Sequence, residues 1–75
     1  MKESIKKIMA NTFEININDI SEESSPNDFE SWDSLRHLML IVNLEEKFQI
    51  KFSDEELVSL VDFKNIYQII SKKMI

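Results

Sequence analysis

The stretch from Trp32 to Phe48 reads W-D-S-L-R-H-L-M-L-I-V-N-L-E-E-K-F, and its interpretation decides the fold. Asp33-Ser34 offers side-chain oxygens to cap a helix, and Leu35–Phe48 contains no breaker. Within it Leu40, Ile41, Leu44 and Phe48 fall at i, i+1, i+4 and i+8 and form one apolar stripe. Leu35, Leu38, Met39 and Val42 fall at i, i+3, i+4 and i+7 and form a second, rotated away from the first. A surface helix of a small bundle needs a single stripe for the core. Two stripes mean either a central helix buried all round or a helix with one side awaiting a partner. Three other short helices can hardly cover both sides of this one, which favours the second reading. An apolar strip bordered by charge is a docking surface.

Working outward, Gln49–Phe52 is a short connector, and Ser53-Asp54-Glu55-Glu56 is a capping box that opens a short helix through Leu60. Asp62 caps a last helix with Phe63, Ile66, Tyr67 and Ile70 on its apolar stripe and Ile69 beside it. Lys72 and Lys73 lie in its last turn, where cations suit the helix dipole. Upstream, Ile5, Ile8, Met9 and Thr12 predict a first helix from Lys2 to Asn11 or Thr12. Phe13–Ile20 alternates as a strand does, but no second strand exists to pair with it. It is therefore read as an extended loop pinned by Phe13, Ile15, Ile17 and Ile20. Ser21–Asp33 continues that loop, with Pro26 forbidding a helix through its middle and Phe29 as an anchor. A loop this long is uncommon and usually functional. The expected architecture is all-α: a small four-helix bundle, three main helices and one short one, with a long loop between the first two helices. Residues 1–75 are expected to form a single domain.

Composition narrows the chemistry. The 75 residues include no glycine, no cysteine, one proline and one histidine. That excludes a Gly-rich phosphate loop, a disulfide scaffold, a thiolate metal site and a cysteine nucleophile, and one histidine cannot supply a multi-histidine metal site. A self-contained enzyme is not expected, and neither a catalytic residue nor a metal ligand is assigned. The net charge of −5 argues against a nucleic-acid partner and favours one with a positive patch. Seven acids and no base lie between Phe13 and Asp33. No apolar run approaches the roughly 20 residues that cross a bilayer, and Met1–Ala10 lacks a secretory apolar region. A monomer in the cytoplasm, with no membrane partner, is the expectation.

Ser34 stands where backbone N–H groups and the helix dipole favour an anion. Asp33-Ser34-Leu35, followed at fixed spacing by Leu38, Leu40-Ile41, Leu44-Glu45 and Phe48, resembles the acyl carrier protein family and its peptidyl carrier relatives. The placement carries the likeness: mid-chain, after a long acidic loop, opening an apolar helix that ends L-E-E-K-F-Q-I. The later D-E-E-L and D-F-K-N-I-Y-Q-I-I are similar to the family's third and fourth helices, so the resemblance spans Ile5 to Ile70. It implies that Ser34 receives a 4′-phosphopantetheine arm from coenzyme A through a phosphodiester, installed by a phosphopantetheinyl transferase with magnesium. It implies that Asp33 caps the helix and helps the transferase bind metal. It also implies that the arm's thiol holds an acyl or aminoacyl group as a thioester. The partners would be the transferase, an acyl- or aminoacyl-activating ligase and a downstream acyltransferase or synthase. Trp32, Leu35, Arg36, His37, Leu38, Met39 and Val42 would form the surface these enzymes meet, with Trp32 an anchor at the loop–helix junction and His37 an exposed neighbour of the phosphate.

The chain departs from fatty-acid carriers in two ways. Ser31-Trp32 stands where they usually have a glycine, and Arg36, His37 and Met39 stand where acids are common. Enzymes that dock basic patches on an acidic helix should bind the first two turns poorly. W-D-S-L-R-H looks more like discrete carriers of specialised biosynthetic pathways than a housekeeping fatty-acid carrier. Outside the carrier class, the alternative is an unmodified domain that docks a helix on its second stripe. A hydrolytic triad of Ser34, His37 and Asp33 is disfavoured, because Asp33 is adjacent to Ser34 and cannot easily orient His37 from the far side.

Overall fold

The computed structural model describes residues 1–74. Four helices follow one another: α1 (Lys2–Phe13), α2 (Ser34–Phe48), α3 (Asp54–Leu57) and α4 (Phe63–Lys73), and no strand occurs among the described residues. The all-α architecture with a long first loop is the one expected. α2 opens at Ser34 because the Asp33 carboxylate accepts the Arg36 backbone N–H at 2.8 Å. α4 opens at Phe63 in the same way, with Asp62 accepting from the Asn65 N–H at 2.8 Å. At α3 the Ser53–Glu56 capping box is formed in both directions.

Some boundaries differ from expectation. α1 runs on to Phe13 and ends with Glu14 in the left-handed region, φ 55°, its N–H bonded to the Ala10 carbonyl. α2 ends likewise on Gln49 at φ 54°. Glycine is the usual residue at such positions, and another residue there costs about 1–2 kcal/mol. This chain has no glycine, and each side chain offsets part of that cost: Glu14 pairs with Arg36, and Gln49 donates to the Glu46 carbonyl at 2.7 Å. α3 stops at Leu57 rather than Leu60, because the Ser59 and Leu60 N–H groups turn back to Glu56 and Leu57 in i→i−3 bonds.

The long loop is not simply extended. It carries two single-turn 3₁₀ segments, Ile17–Asp19 and Pro26–Asp28. Asn16 caps the first, accepting from the Asn18 N–H at 2.9 Å. Pro26 starts the second, where its missing N–H costs nothing, and Asp28 accepts from the Ser25 N–H at 2.9 Å. Ile20 is buried and Ile15 packs on the core, whereas Ile17 is only half-buried and stands outside it. Ser24 is buried and ties the loop to the bundle, its carbonyl accepting the first N–H of α4 and its hydroxyl the Ser21 N–H.

The core joins α1, α2, α4 and the connections, with Leu57 of α3 packed against it. Ile5, Met9 and Phe13 come from α1, Leu40 and Leu44 from α2, and Phe63, Ile66 and Ile70 from α4, with Ile20, Trp32, Phe52 and Leu60 from the connections. Phe48, expected in the core stripe of α2, is half-buried at its margin, as is Ile41.

Candidate functional site

Ser34 is the first residue of α2 and its side chain is exposed. The N–H groups of the first turn lack partners within a helix, and Asp33 satisfies only that of Arg36, while the Asp33 carbonyl takes that of His37. A negative group on the Ser34 hydroxyl would therefore sit beside free donors at the positive end of the helix.

An open groove of about 450 Å³ is lined in part by Ser34. Ser34, His37 and Leu38 line it from α2, Pro26 from the loop, and Leu60 and Val61 from the turn before α4. An exposed serine on the wall of a largely apolar groove fits a long, flexible covalent arm. Among the described residues no group of three or more His, Asp or Glu side chains converges as a metal site, and Asp33 stands alone as an acid at the serine.

The second stripe of α2 is solvent-facing: Leu35 is 68% exposed, Leu38 62%, Met39 46% and Val42 57%. Of the two readings of this helix, the structure takes the one with an unpartnered side. Val58 and Val61 are exposed as well, adding apolar surface between α3 and α4 that was not singled out from the sequence. The signal was there, because neither belongs to the α4 stripe that the core uses.

Two residues expected on the partner-facing surface turn inward. Trp32 is 4% exposed, stacked on Phe13 with ring centroids 4.9 Å apart. Arg36 lies back along α1, donating to the Thr12 carbonyl at 2.9 Å and pairing with Glu14 at 2.9 Å. The guanidinium thus satisfies a terminal carbonyl of α1 at the helix end that favours a cation. Asn43 reinforces the junction by donating to the Thr12 hydroxyl at 3.0 Å. His37, expected as an exposed neighbour, is half-buried, and its Nδ1 accepts the Trp32 indole N–H at 2.9 Å. Burial of the ring lowers its pKa below the ordinary 6.5 and so favours the neutral form.

Comparison with known proteins places this architecture. No family model matches the chain. A solved structure of a holo acyl carrier protein from Geobacter metallireducens superposes with a TM-score of 0.87 at 33% identity, over 97% of this chain and 84% of that one. A polyketide-8 synthase acyl carrier protein 2 from Streptomyces avermitilis is 20% identical over 73 residues, 97% of this chain and 84% of that protein. The chain belongs to the acyl carrier protein family. Such proteins are non-catalytic carriers, and phosphopantetheine is the prosthetic group they carry. Transferases, synthases and ligases are their general partners. No helix among the described residues is long and apolar enough to cross a membrane.

Proposed function

We propose that this chain is a single-domain carrier that holds an acyl or aminoacyl group as a thioester on a 4′-phosphopantetheine arm attached to Ser34, and presents it to enzymes of a specialised biosynthetic pathway. The observation that carries this reading is an exposed serine at the capped start of α2, Ser34, which lines the groove and adjoins the apolar strip. The arm supplies the thiol, which a chain without cysteine cannot. Asp33 holds the first turn, and the free N–H groups beside Ser34 receive the phosphodiester charge. Leu35, Leu38, Met39 and Val42 meet the transferase, the loading ligase and the receiving acyltransferase or synthase, while Trp32 and Arg36 support that surface from beneath.

Two features favour a specialised pathway over housekeeping fatty-acid synthesis. The first turn of α2 carries no acid, so a basic docking patch finds no charge partner there. The Streptomyces avermitilis relative is a polyketide synthase carrier by its name.

Incubation with coenzyme A, magnesium and a broad-specificity phosphopantetheinyl transferase, followed by intact mass measurement, tests the reading. The wild-type chain should gain one phosphopantetheine and Ser34→Ala none. An unmodified wild-type chain would favour the helix-docking domain instead. Loading of the modified protein by candidate adenylating enzymes then identifies the cargo.

A further inference from the structure

His37 is held from behind. Its Nδ1 accepts the indole N–H of Trp32, and Trp32 is itself buried against Phe13. An acceptor nitrogen carries no proton, so in the neutral ring the hydrogen resides on Nε2. That N–H makes no hydrogen bond within the described residues, and it is not among the buried unpartnered atoms, so solvent reaches it. The imidazole is therefore a donor of fixed tautomer at the wall of the groove.

Helical geometry sets what lies in front of it. Ser34 and His37 are separated by three positions, which places them on one face with Cβ atoms about 5–6 Å apart. Side chains of a helix lean toward its N-terminus, which tips His37 over the turn that bears Ser34. Asp33 is the other titratable group lining the groove, and its Oδ1 is engaged with the Arg36 N–H. Arg36, the adjacent cation, is committed to Thr12 and Glu14. Pro26, Leu60 and Val61 bring no charge from the opposite walls. His37 is thus the side chain at the groove with an unused donor suited to an anion.

We propose that His37, oriented by Trp32, donates its Nε2 hydrogen to the phosphodiester of the arm on Ser34 and so fixes the direction in which the arm leaves the helix. The inference rests on Ser34 being the attachment residue. Trp32 is a positioning residue, acting through the ring it holds.

The test uses phosphorus NMR of the modified full-length protein. Two variants separate the two ring nitrogens. His37→Gln keeps a donor near the Nε2 position, and His37→Asn keeps an acceptor near Nδ1 for the indole while leaving no donor at the Nε2 position. The phosphodiester resonance of the folded wild type should differ from its position in the same protein unfolded in urea. It should stay in place in His37→Gln and move toward the unfolded position in His37→Asn, with the Trp32 indole proton signal retained in the latter. An unmoved resonance in His37→Asn, or equal movement in both variants, overturns the donation. Absence of any mass gain in the wild type overturns the attachment reading itself, an outcome distinguishable from the other two.

Discussion

The two faces of α2 are built from the same residue types and end in opposite environments. Leu40 and Leu44 are 0% exposed, whereas Leu35 and Leu38 are 68% and 62% exposed. Hydrophobicity alone does not separate them. What does is where the other apolar side chains go: those of α1, α4 and the connections close one core with Leu40 and Leu44, while Val58 and Val61 stay exposed and leave the outer face uncovered. The core face answers to stability, and the outer face, on the carrier reading, answers to partner enzymes.

The largest expected effect lies on the core face. Leu44→Ala should destabilise the fold by about 2–5 kcal/mol, which in a domain of ordinary stability (about 5–15 kcal/mol) approaches loss of folding at physiological temperature. Urea denaturation measures this directly. Phe48→Ala provides a graded control, because Phe48 is half-buried at the core's margin. Its cost should fall below the about 3–5 kcal/mol of a fully buried phenylalanine. A cost within about 3–5 kcal/mol at Phe48 would mean that it is as enclosed as a core phenylalanine.

The outer face should respond in the reverse sense. Leu38→Glu should change unfolding free energy by no more than about 0.5 kcal/mol, yet slow modification by the transferase or loading by the ligase. Loss of helicity in this variant would place Leu38 in the core and remove the contrast between the faces.

The contrast also marks how far sequence alone carries. Helical caps and stripes are local, so Asp33, Ser53 and Asp62 announce their helices, and the second stripe of α2 announces itself as surplus. Arg36 and Trp32 are not local. Arg36 finds its carbonyl 24 residues upstream at Thr12, a partner that no spacing rule within α2 specifies. Trp32 is enclosed because α1 runs one or two residues past its expected end at Asn11 or Thr12 and delivers Phe13 beneath the indole. The 3₁₀ turn at Pro26 was hidden for another reason: proline bars a helix from continuing through it, yet suits the first position of a new turn. Pro26, Leu60 and Val61 come to one groove only through the tertiary path of the loop.

The smallest effect concerns the seam between the two faces, where His37 bonds Trp32. Burial lowers the His37 pKa in the folded state, so below its ordinary 6.5 the unfolded chain binds more protons than the folded one. Stability then rises with pH across this window: the contribution is fully present above 6.5 and is lost as pH falls from 6.5 through the lower folded value. Protonating Nδ1 would also set a second donor against the indole N–H, which opposes the charged form in the same direction. Glu22 and Glu56 have lowered values too, from hydrogen bonds to Lys2 and to the Ser53 backbone respectively, but their windows lie below the ordinary carboxylate value of 4.5. The histidine window is therefore separable from theirs. Thermal unfolding of the unmodified protein should show a modest fall in midpoint on acidification from neutral pH through the histidine window. That fall should vanish in His37→Asn, which keeps an acceptor for the indole and has nothing to titrate. A wild-type midpoint independent of pH in that window would show that the ring is as easily charged in the fold as outside it, and the seam would then carry no preference for the neutral donor.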